Sequence, residues 1–206
     1  MDGTLLSIFI LNKIMKKIFL TCIILAIMPI SLYAQGKRSA LLLIDIQDFY
    51  FPGGKSELVA PEKAAANAAL LLDHFRKRNI LVIHICHNYE PGGKINDLVA
   101  SLPAEMIFRK NDVSCFKDTG LLVYLRQKGI DSLVICGMQT HMCVEAAVRA
   151  ASDLDFICTL VHDACATKDL KFGERIIKSE DVHYATLSTL RSYATVLSTE
   201  EFLKKR

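Results

Sequence analysis

An acid, an amine and a thiol stand at three distant points of this 206-residue chain: Asp45 in LLLIDIQDFYFPGG, Lys110 in FRKNDVSCF and Cys143 in GMQTHMCVEAAVRAA. Together they are the parts of a nucleophilic hydrolase. A thiol attacks a carbonyl once a base has taken its proton, and a neighbouring cation favours the charged sulfur. Asp45 is the candidate base. Lys110 is the candidate cation, and it also keeps the aspartate ionised, because opposite charges a few ångström apart favour both charged forms. Cys143 falls just past a glycine-ended apolar run, SLVICG, where a helical pattern begins. Helix N-termini favour thiolates, so a depressed thiol pKa is expected there. Each residue alone has an ordinary reading: a loop cap, a solvated lysine, a packed cysteine. Their joint placement is what carries the chemistry.

The elements that must hold them follow from periodicity. Apolar runs at 40–45, 80–85, 131–136, 156–161 and 194–198, with a shorter one at 105–108, read as six strands. Segments 61–79, 119–129, the stretch from about Met142, and TEEFLKK read as helices, with Pro61 opening the first. Residues 169–191 predict helix, in one or two pieces. Continuous Ile/Val/Leu runs imply strands covered on both faces, hence a parallel sheet between helix layers. The expected fold is therefore a single α/β domain over 37–206, a three-layer sandwich with a six-stranded parallel sheet and Rossmann-like winding. In such sheets the site lies beyond the carboxyl ends of the strands, where strand order reverses. Asp45 and Gln47 close the first strand and His84, His87 and Asn88 the second. Lys110 follows the third and Cys143 the fourth.

The bulk numbers fit one core: 51% hydrophobic residues and 23% charged, with no tryptophan and little glycine or proline. From Met15 the chain reads MKKIFLTCIILAIMPISLYAQG, the pattern of a secretory signal peptide, with a cut expected after Ala34 and residues 1–14 as an upstream extension. The alternative is a retained membrane anchor, against which the short apolar run from Ile18 to Leu32 argues. Cleavage would leave a periplasmic or secreted domain with no stable membrane insertion. Net charge would fall from +3 to about +1. Nothing in that charge supports nucleic-acid binding. Six cysteines would remain, of which Cys86, Cys136 and Cys158 sit in apolar runs and read as buried free thiols; no CxxC or zinc spacing is present.

These segments, with VHDACAT and HYATLSTLRSYATVLSTEEFL further on, resemble the isochorismatase-like cysteine hydrolases, a superfamily that includes nicotinamidases and N-carbamoyl amide hydrolases. The resemblance covers essentially everything after residue 38. It implies the six-stranded parallel fold, an Asp45–Lys110–Cys143 triad and a cis peptide between Met138 and Gln139. It also implies an oxyanion hole from the backbone N–H groups of Gln139 and Cys143. Gln47, His87, Asn88, Phe116 and Thr140 complete the expected substrate-contacting set. The small-molecule substrate would be an amide or carbamoyl compound, and the protein a dimer or tetramer. Nicotinamidases carry a metal site with an Asp-x-His pattern after the second strand. HICHNYEPGG lacks the aspartate, so no metal and no cofactor are expected, and His84 reads as a core histidine. Two other readings stay open. One is vinyl ether hydrolysis with Asp45 as acid and Cys143 a bystander; the other is an exported binding protein with a redox-active thiol of low pKa.

Overall fold

The computed structural model describes residues 38–205; the expected signal segment, residues 1–34, lies outside the described residues. In chain order the elements are β1 (Ser39–Ile44), α1 (Pro61–Lys77), β2 (Leu81–His87), β3 (Met106–Lys110), α2 (Leu121–Gln127) and β4 (Ser132–Met138). A π-helical turn (Thr140–Val144) then runs into α3 (Glu145–Asp153), followed by β5 (Ile157–Ala166), β6 (Leu170–Phe172) and β7 (Arg175–Ile177). The chain closes with α4 (Ser179–Leu190), β8 (Thr195–Leu197) and α5 (Thr199–Lys204).

Six strands form one sheet in the order β3-β2-β1-β4-β5-β8, every pairing parallel. Its inner strands are apolar along their length because helices flank the sheet. Leu41, Leu42, Ile44, Ile83, Leu133 and Ile135 are all fully buried. The right-handed crossover rule sends α1, which moves leftward from β1 to β2, to one face. It sends α2 and α3, which move rightward, to the other. Accordingly α5 packs on α1, and α4 on α3. Strand order reverses between β1 and β4, so the crevice expected to hold a site opens between their carboxyl ends.

Register aligns these ends. Ile44 pairs with Ile85 on one side and Gly137 on the other, and His87 pairs with Lys110. The strands run further than their apolar cores suggest: β2 includes His87, β3 ends on Lys110, and β5 continues to Ala166.

One expected element is different. Residues 170–177 form an antiparallel hairpin, not the start of a helix. Its loop is Gly173-Glu174, with Gly173 at φ +59°, and a glycine opening a two-residue loop is a hairpin signal. Phe172 at its tip is 80% exposed. Helix begins only at Ser179.

Gly137 is the tightest point of the crevice. It has φ +128°, and a Cβ there would lie 2.0 Å from the Ile44 carbonyl oxygen. β4 can reach β1 this closely only without a side chain. Gly137→Ala is expected to cost about 3 kcal/mol or more, read as a lowered urea midpoint.

Candidate functional site

At the end of β1 the backbone breaks sharply. Asp45 takes a left-handed φ of +47°, which aspartate tolerates better than most residues, while its N–H still donates to the Ile85 carbonyl at 2.9 Å. Its carboxylate is wholly buried and lies 2.7 Å from Lys110 Nζ. This is a close ion pair, not an aligned hydrogen bond: neither Asp45 oxygen has a well-directed donor among the described residues. Lys110, the last residue of β3, is also buried. Its ammonium donates to Cys143 Sγ at 3.2 Å and to the Asp112 carbonyl at 3.1 Å. His87 Nδ1 is 3.5 Å away. Cys143 sits in the π-helical turn that leads into α3, beside both Asp45 and Lys110. The three residues separated by up to 98 positions in sequence therefore meet at one sheet edge.

Electrostatics sets their resting states. Burial raises the Asp45 pKa, and the Lys110 charge offsets this only in part. Burial alone would lower Lys110, but the Asp45 charge and the Cys143 sulfur turn the shift upward, so it stays an ammonium. Burial and then the Asp45 charge push the Cys143 thiol up to about 12, against the pull of Lys110. This corrects the expectation of a low thiol pKa. Desolvation and a neighbouring carboxylate outweigh the helix terminus and the ammonium, so Cys143 rests as a thiol.

The peptide between Met138 and Gln139 is cis. The Gln139 carbonyl accepts from the N–H groups of Met142 and Val144, which shapes the turn carrying Cys143. The remaining expected site residues divide. His87 flanks the triad, and its pKa is lowered by burial and by Lys110, so it is neutral near pH 7. Asn88 is exposed and donates to Asn111 Oδ1 at 2.8 Å.

The other three expected residues make their contacts within the fold. Gln47 is fully buried and its amide is committed. It donates to the carbonyls of His87 (3.0 Å) and Gly93 (2.6 Å) and accepts from the His87 N–H (2.8 Å). It is a strut between β1, β2 and the loop after β2. Thr140 is also buried, with its hydroxyl held by the Ala166 carbonyl (3.2 Å) and His183 Nδ1 (2.9 Å). Phe116 packs against Phe156, the residue before β5, with ring centroids 6.2 Å apart. A cavity of about 230 Å³ is lined by Cys165, Thr167, Glu180, His183 and Tyr184, and none of Asp45, Lys110 and Cys143 lines it.

His84 points away from His87, because positions three apart in a strand face opposite sides. It is buried and bonded to Glu105 at 3.1 Å. Among the described residues no three His, Cys, Asp or Glu side chains are grouped to hold a metal ion. All six cysteines from Cys86 to Cys165 are free and buried.

Sequence reasoning missed Tyr50. It is buried, near enough to Cys143 and Asp45 for their charges to help raise its pKa after burial, and its hydroxyl accepts from Gln139 Nε2 at 3.3 Å. Within the run DFYF it is indistinguishable from a core aromatic.

An isochorismatase domain model matches residues 39–201. The isochorismatase family protein YddQ of Bacillus subtilis (strain 168) is 44% identical over 81% of this chain and 99% of its own length. A maleamate amidohydrolase of Pseudomonas putida is 27% identical over 82% of this chain and 87% of its own. Among solved structures, an isochorismatase hydrolase from Oleispira antarctica superposes with a TM-score of 0.79, at 39% identity, covering 82% of this chain and 97% of its own.

Two expectations follow from the geometry. Asp45→Asn removes the charge that opposes thiolate formation and leaves Lys110 to stabilise it. Thiolate absorbance near 240 nm should then emerge about 1–2 pH units lower than in the unaltered protein. Gln47→Leu strands two carbonyls and an N–H, and should lower stability by about 2 kcal/mol or more in denaturant titration.

Proposed function

The chain belongs to the isochorismatase family of hydrolases, and from that premise we propose that it is a cysteine hydrolase cleaving a small amide, carbamoyl or related C–N bond through a thioester. One observation carries this reading: Lys110 Nζ sits 2.7 Å from an Asp45 oxygen and 3.2 Å from Cys143 Sγ, inside a buried crevice. The similarity to an amidohydrolase points the same way.

The reaction runs as follows. The substrate carbonyl enters against Cys143. Asp45 takes the thiol proton as the C–S bond forms; its raised pKa makes it a stronger base than an exposed carboxylate. Proton transfer accompanies attack, because the thiol does not ionise beforehand. Lys110 stabilises negative charge as it passes between sulfur and carboxylate. The N–H groups of Gln139 and Cys143 take the carbonyl oxygen as it becomes an oxyanion. Asp45 returns the proton to the leaving nitrogen, the C–N bond breaks, and ammonia or an amine departs. Water then attacks the thioester with Asp45 again as base, releasing an acid and restoring the thiol.

The raised thiol pKa also weighs against the redox-sensor reading, since oxidant-sensing cysteines are thiolates near neutral pH. The signal-like N-terminus adds export to the proposal.

The test is incubation with a panel of primary amides and ureido compounds. Ammonia release and an acyl mass on Cys143 are expected. Cys143→Ala should lower kcat by about a thousandfold or more. A Cys143→Ser protein with undiminished turnover, or no acyl mass and no ammonia from any compound, would refute the thioester.

A further inference from the structure

Two glutamines lie at the same sheet edge, both almost wholly buried, and they differ in one respect. Gln47 has every amide group matched. Gln139 is 5% exposed, and only its nitrogen is matched, to Tyr50; its Oε1 has no donor among the described residues. A buried carbonyl oxygen left without a donor costs about 1–3 kcal/mol. Folded proteins keep such groups where something outside the fold completes them.

The location says what that something is. Gln139 stands four residues before Cys143, on the bend that shapes the nucleophile's turn. Its amide nitrogen is tied to Tyr50, and Tyr50 is electrostatically coupled to both Cys143 and Asp45. The other buried polar groups here are committed: Thr140 to Ala166 and His183, Lys110 to Asp45, Asp112 and Cys143. The Asp45 oxygens also lack an aligned donor, but they face the Lys110 ammonium and take the thiol proton. Gln139 Oε1 is therefore a buried acceptor with capacity to spare, on the residue that opens the turn carrying Cys143.

We propose that the Gln139 side chain, held by Tyr50, is a specificity-determining residue whose unpaired carboxamide oxygen accepts an N–H of the substrate. This deepens the hydrolase reading and rests on Cys143 being the nucleophile. A carbonyl oxygen accepts and does not donate, so it rewards a donor and rejects an ester oxygen or an N,N-dialkyl nitrogen in the same place. Sites that hydrogen-bond a substrate N–H discriminate strongly against analogues lacking it, because their own buried group is then left bare. The selected class is unsubstituted or monosubstituted amides and ureido compounds, over esters and fully alkylated amides.

The test needs no knowledge of the natural substrate. Iodoacetamide, 2-iodo-N,N-dimethylacetamide and methyl iodoacetate each alkylate a thiol: the S–C bond forms, the C–I bond breaks, iodide leaves, and the thiol proton passes to base. Rates at Cys143 are followed by peptide mass spectrometry and divided by the rates of the same reagents on glutathione. In the unaltered protein the normalised rate for iodoacetamide should exceed those of the other two about tenfold, and in Gln139→Met that preference should fall to about twofold or less. No preference in the unaltered protein, or the same preference in Gln139→Met, overturns the proposal. If Gln139→Met fails to fold by circular dichroism, Tyr50→Phe removes the single oxygen that anchors Gln139, and the preference should again collapse; an undiminished one overturns the proposal. No adduct on Cys143 from any reagent overturns the nucleophile reading itself, which separates the two failures.

Discussion

The ion pair between Asp45 and Lys110 is the constraint around which the site is arranged. Both charges are removed from water, at a cost of several kcal/mol per ion before their attraction is counted. A buried pair of this kind is weak support for stability, and well-packed apolar residues in its place are often at least as stable. The fold nevertheless brings β1 and β3 into register across β2 so that the two groups meet, and supplies the ammonium with the Asp112 carbonyl and the Cys143 sulfur. In the proposed hydrolysis the pair serves to move a proton. Neither Asp45 oxygen is locked into an aligned hydrogen bond, so the carboxylate is free to accept one.

The same pair explains why the thiol is quiet at rest. A cysteine beside a lysine alone would ionise readily. A cysteine sharing that lysine with a buried carboxylate does not, because the carboxylate already claims the positive charge. Reactivity then depends on an electrophile being present when the proton moves.

Much of this was legible in the chain. Six apolar runs marked six strands, because strands covered on both faces have no room for alternation. Asp45, Lys110 and Cys143 stood out because each closes or follows such a run with a chemically active group. The carboxyl ends of the strands were harder to read. His87, Lys110 and Ala166 belong to the ladders, but polar or small residues there carry no apolar signal. Gln47 and Thr140 looked like substrate contacts for the same reason: a polar residue at a strand end serves a ligand or the backbone, and only the hydrogen-bond partners say which. The hairpin at 170–177 was hidden by helix-compatible residues around Gly173.

The buried sulfurs have a consequence for what holds such a domain together. Six thiols lie within it, all interred and none bonded to another. Disulfide exchange requires a thiolate with access to its partner, and burial withholds both from Cys86, Cys115, Cys136, Cys158 and Cys165. Apolar packing around the sulfurs, and no covalent cross-link among the described residues, holds these strands and turns together.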